Sequence, residues 1–214
     1  MASIETAVRY VQNNKDVGNN IDGVIDLPPQ LCMPLDLSAL IEWTFPNLLH
    51  NCKNPSWIAE RAILAPHNSI VQEVNNAVAA KFPGEEWVCS SADVIVDEEN
   101  AVAIPTEYLN SLEVSGLPPH RLCLKPGMLI MLLCNLAPKD GLWNGTRLLV
   151  QRVINEQLLQ ATIAGSHQTV LIPRIALQPT DESFPFVWQR RQFPVRLAFA
   201  MTIQGGPSIV FFLN

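Results

Sequence analysis

The first apolar pattern along the chain predicts a helix over Leu37–Leu49. Ile41, Phe45 and Leu48 recur at helical spacing and would share one face of that helix. Pro46 lies inside the pattern and should kink or end the helix, because proline has no backbone N–H and clashes with the preceding turn. Residues 1–30 hold turn-forming residues without a period, so we expect an irregular lead-in there.

A second pattern predicts a strand, a turn and a helix in direct succession. The apolar run Ala62–Ala65 fits a buried strand, and residues 66–68 fit the turn after it. Asn68 or Ser69 could cap the helix that follows, as in a Ser-x-x-Gln capping box, and the Pro-Gly pair at 83–84 should stop it. The apolar positions at helical spacing are Ile70, Val71, Val74, Ala77 and Val78. Such a unit builds α/β folds, and its helix N-terminus could hold a phosphate.

The pattern changes to short strands in the second half of the chain. Residues 84–118 are acidic and predict loops, whereas residues from Arg121 onward favour β structure. Trp143–Thr146 is a turn signal between two apolar runs, and Ser208–Leu213 is a last strand candidate. The other predicted strands are Met128–Leu133, Arg147–Ile154, Leu158–Ile163 and Thr169–Ile172. Short strands at this spacing suggest a small barrel.

Composition excludes several classes of protein. The 214 residues are 48% apolar and 16% charged, which is too apolar for a disordered chain. The longest wholly apolar run, Met128–Cys134, is far shorter than the roughly 20 residues that cross a bilayer. The N-terminus shows no secretory pattern, and the five cysteines include no C-x-x-C pair, so we expect reduced thiols inside the cell and no zinc site.

The charge is distributed unevenly between the two halves. The net charge is −6, but residues 1–118 hold 5 basic and 16 acidic residues, whereas residues 119–214 hold 9 basic and 4 acidic ones. A basic face in the second half could meet a polyanion. The segment Arg190–Arg196 places three arginines around Phe193, a combination that suits a nucleic-acid backbone with a base stacked on a ring, although a solvated basic loop explains it equally well.

Two other features favour plain structural explanations. An apolar run ending in Asp97-Glu98 is typical of the metal-holding strand of a nucleotide hydrolase, but the chain has no Gly-Lys pair for a phosphate loop, so a solvated loop is the better interpretation. The histidines have no metal-ligand spacing and are expected to be structural: His50, His67, His120 and His167. His67 differs, since it precedes a predicted helix N-terminus where a phosphate could lie.

Several long segments resemble Pif-family DNA helicases, in the version that eukaryotic Helitron transposons carry. Residues 61–68 read Arg-Ala-Ile-Leu-Ala-Pro-His-Asn, where the family has Thr-Asn at the end. Further similar segments, in the same order as in the family, are 105–112, 115–120, 122–135, 141–148, 172–175 and 190–203. The resemblance covers roughly residues 40–205.

The resemblance implies an α/β fold: a partial RecA-like parallel sheet with an inserted Src-homology-three-like β-barrel, called 2B. Its implied organisation is a lead-in and helical segment over 1–60, the first part of the second RecA-like domain, 2A, over 61–105, the 2B domain over 106–185, and a return to domain 2A over 186–214. Ser208–Leu213 would rejoin the RecA-like sheet.

The resemblance implies ATP-driven 5′-to-3′ DNA unwinding in replication, repair, recombination or Helitron transposition. ATP and magnesium serve the complete family enzyme, through a first RecA-like domain that these residues do not contain. The family motif after Ile203 lacks three residues here, including its lysine, and the final arginine motif is absent. We therefore expect no catalytic or metal residue, and no ATPase activity, in this chain alone.

The remaining expectation is contact with single-stranded DNA in the nucleus. The resemblance carries backbone contacts onto His67, Asn68, Thr202, Gln204 and Gly205. Electrostatic candidates are Arg190, Arg191 and Arg196, whereas Asn144 and Gly145 are expected to make the 2B hairpin turn. Possible protein partners are a full-length helicase or a separate first RecA-like domain; no membrane is expected. The alternatives are a non-catalytic interaction module and the product of a decayed transposon gene.

Overall fold

A computed structural model describes residues 36–65, 67–96, 104–166, 168–179 and 184–202, together with the backbone of 211–213. The fold is mixed α/β, as the sequence predicts. The predicted lead-in over 1–30 lies outside the described residues, as do Asp97, Glu98, His167, Gln204 and Gly205. No described helix is long and apolar enough to span a bilayer.

The first predicted helix is divided at Pro46. Asp36 caps its first part by accepting a hydrogen bond from the Ser38 backbone N–H (3.3 Å), and Asn47 takes a left-handed conformation with φ of 50° between the two parts. The α-helices among the described residues are α1 Leu37–Thr44, α2 Leu48–Asn51, α3 Pro55–Ala59, α4 Asn68–Lys81 and α5 Thr106–Ser111. The predicted helix 37–49 is thus confirmed with the break that proline requires.

The strands predicted from short apolar runs are confirmed to within one residue at each end, apart from Ser208–Leu213, of which the structure describes residues 211–213. The strands are β1 Ala62–Ala65, β2 Trp87–Ser90, β3 Ala92–Ile95, β4 Arg121–Leu124, β5 Leu129–Leu132, β6 Arg147–Ile154, β7 Leu158–Ile163, β8 Thr169–Pro173, β9 Ile175–Leu177, β10 Trp188–Gln192, β11 Val195–Leu197, β12 Ala200–Thr202 and β13 Phe211–Leu213. The expectation of loops over 84–118 was wrong for β2, β3 and α5, which that segment contains.

Strand β1 lies at the centre of the sheet that corresponds to the expected RecA-like part. It pairs in parallel with β12 on one side and antiparallel with β13 on the other. The last predicted strand, β13, therefore returns to this sheet. Of the two ladders in the sheet, only the one between β1 and β12 is parallel. Helix α4 follows β1 and packs on both β1 and β12.

The second half of the chain forms an antiparallel sheet rather than a closed barrel. Its five strands run in the order β11-β5-β6-β7-β8, with an irregular register between Val150 and Arg152. Among the described residues, no ladder joins β8 to β11, so the predicted closed barrel is not confirmed. Closure needs a continuous ring of backbone pairing, which alternation in the sequence does not specify.

One core joins α1, α4, β1 and the antiparallel sheet. Phe199 is its centre: the Phe45 and Phe82 rings lie 5.9 and 5.7 Å from the Phe199 ring. A separate, smaller core gathers Leu109, Phe186 and Trp188 beneath β3 and β10. The larger core holds in place the carboxyl end of β1, where predicted site residues lie.

Candidate nucleic-acid interface

The parallel pairing of β1 and β12 brings three predicted residues to one edge. Ala65 is the register partner of Thr202, so both strands end at the same level. His67 and Asn68 follow β1 directly, and α4 begins at Asn68. His67 and Asn68 are exposed and Thr202 is half-buried. The carboxyl ends of parallel strands are a common place for ligands in α/β folds, because the following helix presents its N-terminus there.

The N-terminus of α4 offers backbone donors at Asn68, Ser69 and Ile70 that are given no acceptor within the described part of the chain. His67 is the N-cap residue in extended conformation, and its side chain does not cap the helix, so the expectation of a cap at Asn68 or Ser69 was wrong. The predicted capping box was wrong: Gln72 donates instead to the Glu113 carboxylate (2.9 Å). The first N–H groups of a helix lack partners within it, and their dipoles favour an anion. An anionic oxygen at this edge would meet several donors at once.

Asn75 fixes β12 against α4, a role that the sequence analysis did not predict. Its Oδ1 accepts from the Ala200 N–H (2.9 Å), while its Nδ2 donates to the carbonyls of Ala200 (3.2 Å) and Leu197 (3.3 Å). The side chain is 6% exposed. The sequence contained a signal for this role, because Asn75 falls on the apolar face of the predicted helix. A buried amide almost always has hydrogen-bond partners, so such a position indicates a contact with a neighbouring element.

Arg190 is buried and does not face solvent. Its side chain is 1% exposed, and its Nη2 lies 2.7 Å from an oxygen of the equally buried Asp93. Its remaining donors bond to the carbonyls of Leu109, Leu112 and Pro118. With every guanidinium N–H directed to a protein acceptor, Arg190 stabilises the smaller core and offers no donor to an outside phosphate. The expectation that Arg190 contacts DNA was based on the composition of the segment, which does not show whether an arginine is buried or exposed.

A polar network extends from this ion pair. The Ser91 hydroxyl lies 2.6 Å from Asp93 Oδ1 and 2.8 Å from His120 Nδ1. A carboxylate only accepts, so the single Ser91 proton goes to Asp93 and His120 Nδ1 is the donor to Ser91. This arrangement is unlike a hydrolytic triad, in which the histidine takes the serine proton. The His120 ring thus belongs to a hydrogen-bond network inside the protein, which fits a structural role.

The other two arginine candidates differ from Arg190. Arg191 is exposed on β10. Arg196 is half-buried on β11, burial lowers the pKa of its guanidinium, and its buried Nε has no hydrogen-bond partner. Among the described residues, the Arg190–Asp93 pair is the one ion pair within 4 Å, so neither arginine is neutralised by a neighbouring carboxylate there. Arg191 and Arg196 both lie on sheets other than the one that contains Thr202. Arg196 precedes Thr202 by six residues in the sequence.

Asn144 and Gly145 form the turn between β5 and β6. The Asn144 N–H donates to the Asn135 side chain (2.8 Å), and the Gly145 N–H donates to the Leu132 carbonyl (2.8 Å). Gly145 has φ of +91°, which only glycine adopts readily. Within the described part of the chain, no group of three or more potential ligands could hold a metal ion.

Comparison with known proteins supports the resemblance seen in the sequence. The family model of the 2B domain of the DNA helicase Pif1 matches residues 107–153, which run from α5 into β6. This match confirms the resemblance to Pif-family helicases for that segment. No curated protein matched the chain.

Solved helicase structures show similarity over a larger part of the chain. Pif1 helicase from Candida albicans is 22% identical over 65% of this chain and 35% of its own, with a TM-score of 0.48. Unliganded Pif1 from a Bacteroides species is 18% identical over 69% and 43%, with a TM-score of 0.47. Bacteroides Pif1 bound to single-stranded DNA is 17% identical over 66% and 30%, with a TM-score of 0.46. The chain thus spans less than half the length of each of these proteins.

Proposed function

We propose that this chain is a strand-binding part of a Pif-family helicase and that it holds single-stranded DNA by its backbone. The observation that carries the proposal is the common edge formed by His67, Asn68 and Thr202. Sequence-independent contact needs donors directed at phosphates rather than at base edges. A free helix N-terminus, a hydroxyl and an amide supply such donors.

The electrostatics of this edge suit a phosphodiester. The positive end of α4 lies there, and α4 carries no acidic residue in its first turn. Arg191 and Arg196, which lie on other sheets, are proposed as further electrostatic contacts, since neither has an ion pair within 4 Å among the described residues; the buried Arg190 does not contribute. The proposed domain limits stay at 61–105, 106–185 and 186–214, with Gln204 and Gly205 as further candidate contacts.

The complete family reaction is a proposal for a larger assembly than these residues. ATP hydrolysis requires a phosphate cradle, a magnesium ion and a cation aimed at the transferred phosphoryl group. The expected supplier is a first RecA-like domain or a full-length helicase. We propose that the protein acts in the nucleus, in DNA replication, repair, recombination or Helitron transposition. The chain alone is expected to hydrolyse no ATP.

The test is the fluorescence anisotropy of labelled single-stranded and duplex oligonucleotides at several salt concentrations. Preferential, salt-sensitive binding of the single strand is expected, because phosphate neutralisation releases counterions. Asn68→Asp should weaken binding, since it places a negative charge at the edge. Aspartate in the first turn favours a helix, so the loss would not reflect unfolding.

Asn144→Asp is the matched control, because it makes the same change at an exposed turn on another sheet. Equal loss in both variants would show that general repulsion, not the α4 edge, controls binding. Absence of any binding by the folded wild-type chain would disprove the proposed function.

One observation favours a protein-interaction module as the second candidate. Val94, Val96 and Val187 are 48%, 47% and 52% exposed, and the Val96 N–H donates to the Val187 carbonyl (2.8 Å), so an apolar surface lies on β3 and its neighbour. Sedimentation at increasing concentration tests it: Val94→Lys should abolish any self-association of the chain. If the wild-type chain stays monomeric at every concentration, and Val94→Lys sediments in the same way, the apolar surface does not mediate self-association.

A further inference from the structure

An uncovered sheet face lies on the continuous strand that β2 and β3 form. Exposed and less exposed residues alternate along this strand without a break at Ser91, so the even-numbered side chains point to one side. Ile95, an odd-numbered residue, packs against the smaller core on the opposite side. The strand therefore presents a row of five exposed positions, four of which are apolar: Val88, Ser90, Ala92, Val94 and Val96.

Neighbouring strands widen this row into a surface, because residues directly opposite each other in an antiparallel pair share a face. Val187 is 52% exposed, and its carbonyl accepts a hydrogen bond from the Val96 N–H (2.8 Å). The pairing of β10 with β3 and β9, and of β4 with β2, adds Gln189, Arg191, Ala176, Arg121 and Cys123 to the same side. We call this surface the valine face; its exposed valines are Val88, Val94, Val96 and Val187.

The charged groups on the valine face are two arginines. Arg121 and Arg191 are exposed, and neither has an ion pair within 4 Å among the described residues. The strands that form the face place no carboxylate on this side, since Asp93 points to the other side and pairs with a buried arginine. In the sequence, Glu86 and Asp97 flank the strand, so its positive charge is confined to the middle. A complementary partner brings carboxylates to the arginines and apolar side chains to the valines.

The dimensions of the valine face fit one helix. The distance from Val88 to Val96 is about 26 Å along the strand, and three strands spaced about 4.8 Å apart are about 10 Å across. An α-helix is about 10 Å in diameter, and helices are the common cover of a sheet face in α/β folds. The footprint of roughly 300 Å² is well below the ~800 Å² that each partner usually buries in a stable interface. The face is thus sized for one element of a partner rather than for a second copy of this chain.

The composition of the face favours a protein over a nucleic acid. Protein–DNA interfaces are more polar and more positively charged than protein–protein interfaces, whereas here four valines accompany two arginines. We propose that the valine face docks an amphipathic helix of another protein, and that Arg121 and Arg191 pair with carboxylates beside the apolar stripe of that helix. The inference rests on the second candidate function, the protein-interaction module, and is independent of strand binding at the α4 edge.

The probe that tests this inference is a fluorescently labelled helical peptide of about 18 residues, which is about 27 Å long. It carries leucines at helical spacing with glutamates beside them, and a second peptide has lysine in place of each glutamate. Fluorescence anisotropy follows each peptide during titration with the full chain. The acidic peptide should bind at least tenfold more tightly than the basic one. The net charge of −6 favours the opposite order, so this preference reports on the arginines of the face.

Charge exchange tests the two arginines directly. Arg191→Glu should weaken binding of the acidic peptide several-fold, whereas Arg152→Glu, the same change at an exposed position on β6, is the matched control and should not. Arg121→Glu combined with Arg191→Glu should reverse the preference, so that the basic peptide binds more tightly. A reversed preference does not arise from unfolding, because it requires an intact face.

A second pair of variants tests the apolar part of the face. Val94→Thr combined with Val96→Thr keeps the charge and the side-chain shape, and should weaken the acidic peptide several-fold because apolar surface is lost. Leu171→Thr is the matched control, since Leu171 is 53% exposed on β8 of another sheet, and it should leave binding unchanged.

The outcomes separate this inference from the other proposals. Failure of the acidic peptide to bind, or equal weakening by Arg191→Glu and Arg152→Glu, overturns it. Dimerisation that the threonine variant abolishes, without peptide binding, overturns it in favour of a second copy. Oligonucleotide binding that Arg191→Glu weakens, without peptide binding, overturns it in favour of DNA. Peptide binding by a chain that binds no oligonucleotide supports the inference and disproves only the proposed strand binding.

Discussion

The buried ion pair between Arg190 and Asp93 gives the sharpest prediction about stability. Arg190→Leu removes the guanidinium and leaves the Asp93 carboxylate buried without a cation. The two side chains are 1% and 0% exposed, and the pair is joined by contacts of 2.7–3.1 Å. Removing one partner of such a pair typically costs about 3–5 kcal/mol, because the remaining charge is uncompensated.

The neutralising double substitution should recover only part of this loss. Arg190→Leu combined with Asp93→Leu leaves no buried charge, and replacing a whole buried pair by apolar groups is often neutral. The carbonyls of Leu109, Leu112 and Pro118 nevertheless lose their donor in the double variant. Each unsatisfied buried carbonyl costs about 1–3 kcal/mol, although movement toward water reduces the sum. The double variant should therefore lie between the wild type and the single variants.

Urea unfolding followed by tryptophan fluorescence measures these free energies. Trp188 lies in the smaller core beside Arg190, whose guanidinium carbon is 5.3 Å from the ring centroid, so it reports on the affected region. The reasoning would be refuted by a loss below about 1 kcal/mol for Arg190→Leu, or by a double variant that is less stable than both single variants. Arg191→Leu, one position away and exposed, is the control and should change stability by less than about 0.5 kcal/mol.

Three further predictions concern other parts of the fold. Asn75→Leu should cost about 2–3 kcal/mol, because it leaves the buried Ala200 N–H without its acceptor, and hydrogen exchange of that amide should accelerate; an unchanged exchange rate would contradict this. Gly145→Ala should cost about 1–2 kcal/mol in thermal unfolding, because φ of +91° strains any side chain, whereas an unchanged midpoint would show that the turn relaxes. Burial raises the pKa of the Cys52, Cys89 and Cys134 thiols above that of an exposed thiol, so they stay neutral in the folded chain at a pH where the unfolded chain ionises them; their contribution to stability should therefore fall as pH rises into the alkaline range, and a rise in stability there would have the wrong sign.

Local sequence determined the elements whose signals are local. Helical spacing and a proline predicted α1 and its end, and short apolar runs with a glycine-containing turn predicted β5, β6 and β7 closely. These patterns suffice because the apolar positions of a helix or a half-buried strand repeat with the period of the backbone itself. The resemblance to Pif-family helicases was likewise readable from ordered segments, and a family model matches part of it.

Tertiary structure decided which polar residues face solvent and which lie together. Nothing near Arg190 in sequence predicts its burial, because its partner Asp93 is 97 positions away. The edge at His67 and Thr202 likewise exists only because β1 and β12 pair in parallel across most of the chain. The antiparallel sheet stays unclosed among the described residues for the same reason, since pairing between distant strands is not encoded in local alternation. Local pattern thus specified many of the elements, though not β2, β3 or α5, and long-range pairing brought the candidate site residues together.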